Sequence, residues 1–157
     1  MALVKGTNAY ATVAEADDYF ADRLDVAAWT EADATQKAQA LVTAALYLDN
    51  LKWVGVVVSE TQSMAFPRSG TYFDPRIGYA IALPATVPER VLKAQYELAY
   101  HFLNNDGLLD NVGSVAALSV GPVVLTNIKQ ASTIPAVVRQ LVHPLLASSD
   151  RTWWRAN

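Results

Sequence analysis

TEADATQKAQALVTAALYLDNL, residues 30–51, places Ala34, Ala38, Leu41, Ala45 and Leu48 at steps of four, three, four and three. That spacing is one apolar seam of an α-helix, so the stretch predicts a helix capped by Thr30 and running through Leu51. The small alanines let a neighbouring helix approach closely, which places the element in a bundle. Upstream, Thr12 and Glu15 form a capping-box pair that starts a helix from Val13 to about Leu24. Its early Glu15, Asp17 and Asp18 suit the positive end of the helix dipole.

Downstream the helical period fails. Val54 and Val56, Val57 and Val58 are β-branched, and Ser59 opens a short turn before Phe66-Pro67-Arg68-Ser69-Gly70. Residues 71–85 read as an aromatic-rich loop broken by Asp74-Pro75, Gly78 and Pro84. A loop this long in a small domain is more often functional than idle. Thr86, Pro88 and Glu89 then give a second capping box with Pro in the first turn, leading a helix to about Leu103. Val91, Ala94, Leu98 and Phe102 form its buried face, and Asn104-Asn105-Asp106-Gly107 stops it.

Residues 115–125 are apolar and β-prone around Gly121-Pro122, as an extended arm, a hairpin or a strand lent to a neighbour; Pro122 argues against a central strand. A last helix over residues 135–146 is weakened by Pro144. The fold expected is mainly α: a small helical bundle of three to four helices with an extended C-terminal arm that contains a β-hairpin or strand. Residues 1–107 are expected to form the bundle with an inserted aromatic loop at 54–86, and residues 108–157 an arm with a short helix and tail.

The chain has 157 residues, 52% apolar and 17% charged, with no cysteine. Disulfides, thiolate nucleophiles and Cys-based metal sites are excluded, and packing must hold the fold together. No apolar run reaches the roughly 18 residues of a membrane span and no secretory h-region opens the chain, so a soluble protein made in the cytoplasm, without a membrane partner, is expected. The net charge of −3 gives no bulk attraction to nucleic acid. Residues 1–33 carry a net −5 and residues 124–157 a net +3, an opposition that suits head-to-tail contact between copies or simply two solvated faces.

Catalytic chemistry has no visible constellation. His101 and His143 stand alone, without the paired ligand spacing that a metal needs. The seven scattered glycines form no phosphate loop, and no Gly-x-Ser-x-Gly elbow occurs. Asp17 and Asp18 diverge around a helix and do not converge on one proton. No enzyme activity, cofactor or metal is expected.

Aromatic rings interleaved with cations, the pattern used to stack bases and hold phosphates, occur twice. One is Phe66-Pro67-Arg68 with Tyr72, Phe73, Arg76 and Tyr79; the other is Arg151, Trp153, Trp154 and Arg155. The plain alternative for the first is a loop folded over the core with buried rings. Two adjacent Trp near the terminus are costly to leave in water at about 25 cal/mol per Å². They dock on a partner or pack on the parent domain.

Several segments in order carry a resemblance: Asn8 to Phe20 (NAYATVAEADDYF), Ala44-Ala45-Leu46-Tyr47-Leu48-Asp49 with Trp53, Ser63-Met64-Ala65-Phe66-Pro67-Arg68, and Val87-Pro88-Glu89-Arg90-Val91 with Ala94 and Glu97-Leu98-Ala99. Together they resemble the head–tail connector (adaptor, head-completion) proteins of tailed phages, some of which are described as DnaT-like single-stranded-DNA-binding proteins. The resemblance spans roughly residues 8–105.

It implies a non-enzymatic, cofactor-free helical bundle assembling as a homo-oligomeric ring, usually a dodecamer, in the virion neck between capsid and tail, after assembly in the host cytoplasm. The partners implied are further copies of the chain, the portal protein, and tail or nozzle proteins, with genomic DNA passing through the lumen. Phe66, Arg68, Tyr72, Phe73, Arg76 and Tyr79 would lie at a subunit or tail interface. Arg151, Trp153, Trp154 and Arg155 would be portal-facing anchors, since buried Trp and Arg often dominate interfaces.

Two functions follow. A structural adaptor ranks first, on the resemblance together with the missing catalytic set, the Ala-lined bundle helix and the apolar tail. The single-strand description weighs less, because the net charge is negative and no basic stripe is visible. The alternative is a single-stranded-DNA-binding replication module in which Tyr72, Phe73 and Tyr79 stack bases while Arg68 and Arg76 hold phosphates.

Overall fold

The computed structural model describes residues 2–105 and 134–147 in full and residues 117–120 and 123–126 by their backbone. Helices α1 (Val13–Ala21), α2 (Ala27–Thr30) and α3 (Ala34–Asp49) come first. Strands β1 (Val56–Val57), β2 (Arg68–Ser69), β3 (Thr71–Asp74) and β4 (Tyr79–Ala82) follow, then helix α4 (Glu89–Asn104). Strands β5 (Ala117–Val120) and β6 (Val123–Thr126), helix α5 (Ala136–Val142) and a 3₁₀ turn at His143–Leu145 complete the described part. The fold is mainly helical, as expected, with antiparallel pairs β1–β2, β3–β4 and β5–β6 among the described residues. The last pair aligns Ala117 with Thr126 and Val120 with Val123.

Local hydrogen bonding sets the helix limits. Thr12 and Glu15 make the predicted capping box, but α1 stops at Ala21, short of Leu24, and Asp25 takes a left-handed φ of 57°. The helix expected from Thr30 through Leu51 begins instead at Ala34. Asp33 accepts from the Gln36 N–H at 2.8 Å and the Gln36 side chain accepts from the Asp33 N–H at 2.9 Å, a closed box that fixes the start. The Thr30 hydroxyl instead donates back to the Val26 carbonyl at 2.9 Å, in the last turn of α2. Helix α4 starts behind Pro88, whose missing N–H costs nothing there, and no side-chain cap from Thr86 forms.

The core is the packing of α3 on α4, with α5 also packed against α4. Leu41, Ala44, Ala45 and Leu48 are buried on α3, whereas Ala34 is exposed, so the seam begins a turn later than its spacing implies. On α4 the predicted Val91, Ala94, Leu98 and Phe102 are all buried. Gln95, buried among them, donates to the Leu41 carbonyl at 2.9 Å and ties the helices together.

The segment after α3 is held by the end of the described chain. Val54 N–H donates to the Leu145 carbonyl at 2.9 Å and Ala147 N–H to the Lys52 carbonyl at 2.8 Å. Val138, Val142 and Leu145 are fully or almost fully buried, so residues 134–147 form part of the core. Pro144 falls in the 3₁₀ turn, where the helix tightens and ends at His143.

Phe66 is a core ring, 4.9 Å from Trp53 and 6.2 Å from Tyr10 in edge-on contacts, next to a cis Phe66–Pro67 bond. Arg68 donates from Nε to the Val54 carbonyl at 2.8 Å and from Nη2 to the Gly55 carbonyl at 2.6 Å, pinning the β1–β2 crossing. Glycine is required at 55, where φ is +71° and a Cβ would stand 2.2 Å from the Ser69 carbonyl oxygen. Among the described residues, no helix is long and apolar enough to cross a membrane.

Candidate functional site

Residues 71–85 were expected to be an irregular loop; residues 71–82 form an antiparallel hairpin. Thr71-Tyr72-Phe73-Asp74 pairs with Tyr79-Ala80-Ile81-Ala82, Phe73 facing Ala80 and Asp74 facing Tyr79. The strand period of two was hidden because Asp74-Pro75 and Gly78 are turn formers lying inside the segment. Their place is the hairpin end: the Asp74 carbonyl accepts from Ile77 N–H at 3.2 Å and Gly78 N–H at 2.9 Å, with Gly78 at a φ of +78°.

Alternation along β3 divides the aromatic set. Tyr72 points inward and is 9% exposed, and its neighbour Phe73 points outward and is 57% exposed. Tyr79, at the start of β4, is 62% exposed, and Ile77 in the turn is also open to solvent. Of the six residues expected at an interface, Phe66 and Tyr72 are therefore core residues and Arg68 is a backbone clamp. Phe73, Arg76 and Tyr79 are all exposed on one hairpin, Phe73 on the face away from Tyr72 and Tyr79 across from Asp74.

Asp74 organises this end. Its carboxylate is fully buried, accepts from the Arg76 N–H at 2.9 Å, and is bridged by the Arg76 guanidinium, with Nη2 at 2.7 Å and Nε at 3.2 Å from both oxygens. The Arg76 guanidinium and N–H hold the Asp74 carboxyl well below the usual carboxylate range. Tyr72 donates its hydroxyl to Asp74 at 3.3 Å, and burial, with that carboxylate beside it, pushes the phenol up. Held from one side only, the Arg76 side chain stays 69% exposed.

Behind the hairpin lies a cleft of about 350 Å³ between β3 and the first turns of α4, lined by Tyr72, Arg76, Pro88, Arg90, Lys93 and Leu141 among others. Arg90 reaches Asp74 loosely, Nη2 to Oδ1 at 3.6 Å, and its buried Nε has no hydrogen-bond partner. Lys93 pairs with Glu89 at 2.7 Å, one helical turn back. Arg90 and Lys93 were not singled out in the sequence as site residues. Their spacing of three puts them on one helix face, yet nothing local links them to Arg76, fourteen residues before Arg90.

His101 lies on α4 beside the Asn105 amide and His143 is exposed. Among the described residues, no group of three or more His, Cys, Asp or Glu is placed to hold a metal ion. Arg151, Trp153, Trp154 and Arg155 lie outside the described residues.

A family model described as "Putative DnaT-like ssDNA binding protein" matches residues 2–156. No curated protein and no solved structure matches the chain.

Proposed function

The chain belongs to this family of DnaT-like single-stranded-DNA-binding proteins, and on that premise we propose that it is a non-catalytic binder of single-stranded DNA acting in replication. The membership overturns the head-to-tail adaptor reading, because the family that covers almost the whole chain is described by single-strand binding. The ring, the portal and tail partners and the virion neck rested on that resemblance and lose their support with it. The ranking failed because it rested on that resemblance and judged charge along the sequence, by its sum and by the lack of a basic stripe. A strand touching one hairpin meets only the charges that the fold gathers there.

The observation that carries the reading at residue level is the β3–β4 hairpin, which holds Phe73 and Tyr79 open to solvent with the exposed Arg76 guanidinium between them in sequence. An aromatic face stacks on any unpaired base and a guanidinium donates to a backbone phosphate, so the combination favours single strands with little regard to sequence. Asp74 supports it by fixing the turn and aiming Arg76 while leaving most of that side chain in water. Of the other residues counted with this surface from the sequence, Tyr72 is buried on the inner face of the hairpin and Arg68 clamps the Val54 and Gly55 carbonyls.

Titration of a labelled oligothymidylate with the full-length protein, followed by fluorescence anisotropy, tests the proposal. Saturable binding at low salt that weakens steeply as salt rises is expected. Absence of binding at low salt would overturn it.

A further inference from the structure

Arg76, Arg90 and Lys93 converge on one cleft from the hairpin turn and from α4, and their countercharges leave them incompletely neutralised. Asp74 is engaged by Arg76 through short contacts and by the Tyr72 hydroxyl, so Arg90 receives only the 3.6 Å approach. The Nε of Arg90 is buried with no acceptor. A buried charged donor left without a partner is costly, and a guanidinium fork is shaped to pair with an oxyanion.

We propose that this cleft is a phosphodiester subsite, in which Arg90 and Lys93 take one backbone phosphate of a single strand whose neighbouring base lies on Tyr79. The assignment rests on the single-strand reading above and adds residues that reading does not use. Three cations, Arg76, Arg90 and Lys93, face two carboxylates, Asp74 and Glu89, a local balance of +1. That balance matches the single negative charge of a phosphodiester; a terminal phosphate carries about −1.5 to −2 near neutral pH.

Arg76 belongs both to the cleft wall and to the hairpin turn, and Tyr79 pairs across from Asp74, on the cleft side of the hairpin, whereas Phe73 lies on the opposite face. Glu89, exposed at the rim, holds Lys93 in the absence of a strand and releases it when a phosphate replaces the carboxylate. Tyr72 and Pro88 wall the cleft without competing for the phosphate charge.

The experiment is the slope of log binding constant against log salt for oligothymidylate, measured on the full chain and on Lys93→Gln, Arg90→Gln/Lys93→Gln and Lys5→Gln. Lys5, which pairs with Glu15 near the N-terminus and does not line the cleft, serves as the charge-matched control. Loss of one phosphate contact lowers the slope by about 0.7 for a single strand. The double variant is expected to show that decrease, Lys93→Gln part of it, and Lys5→Gln none.

Lys93 has a half-exposed side chain, so its variant keeps the test valid even if the loss of Arg90 disturbs the hairpin. Wild-type slopes in both cleft variants, with binding intact, would overturn the subsite and leave single-strand binding standing. Failure of the wild-type chain to bind at all would instead strike the proposed function. Inorganic phosphate is the second probe, read by thermal unfolding. A wild-type response lost in the double variant, together with an unchanged DNA slope, would assign the cleft to free phosphate and overturn the phosphodiester assignment.

Discussion

Replacing Phe73 by Ala separates single-strand recognition from folding. The ring is 57% exposed, lies opposite the small Ala80, and is not among the residues packed on the core. Its removal should change stability by no more than about 0.5 kcal/mol, the usual range for a surface substitution. A base stacked on that ring is worth about 1–3 kcal/mol, which is roughly a five- to 150-fold rise in Kd. The assay is fluorescence anisotropy with oligothymidylate at fixed low salt, alongside thermal unfolding of the same samples. Tyr79→Ala, at 62% exposure, is expected to lose affinity within the same range. Because neither ring carries charge, the salt slope should stay at the wild-type value in both variants while the affinity falls. An unchanged Kd in both, with a wild-type unfolding midpoint, would refute the assignment of stacking to this hairpin.

Further perturbations probe the supports of the site. The Asp74 carboxyl lies below its ordinary value in the folded chain, so its stabilising effect is complete above about pH 4 and lost as pH falls through the folded value. Asp74→Asn should lower the unfolding midpoint at neutral pH and flatten the acid side of the midpoint-against-pH curve. Gly55→Ala forces a Cβ to 2.2 Å from the Ser69 carbonyl oxygen at positive φ, so a loss of more than about 1 kcal/mol is expected in denaturant unfolding. Leu145→Ala empties a fully buried position beneath the Val54 contact and should cost about 2–5 kcal/mol by the same measurement.

Legibility in the sequence followed how local each determinant is. The buried face of α4 and the Thr12–Glu15 box were readable because their partners lie within a turn or two of each other. The start of α3 was misplaced because Thr30 and Asp33 are both competent caps, and only Asp33 has Gln36 three residues on. The hairpin was missed because Pro75 and Gly78, taken as breakers of a loop, are the turn that lets two four-residue strands pair. In the site, the mixture of rings and arginines was visible, but the strand alternation that buries Tyr72 and exposes Phe73 was not. Arg90 and Lys93 were invisible as site residues because only the packing of the hairpin beside α4 brings them to Arg76. Charge read along the chain pointed away from DNA for the same reason: Arg76 is a neighbour of Arg90 and Lys93 only in the fold.

Single-strand selectivity is the central claim, and a direct comparison measures it. The full-length protein is titrated with a mixed-sequence oligonucleotide as a single strand and as its fully paired duplex, in one buffer at one salt concentration. Phe73 and Tyr79 can stack only on unpaired bases, so the account predicts at least about fivefold tighter binding of the single strand, from one stack of about 1–3 kcal/mol. Equal affinity for the two forms, or tighter binding of the duplex, would contradict it.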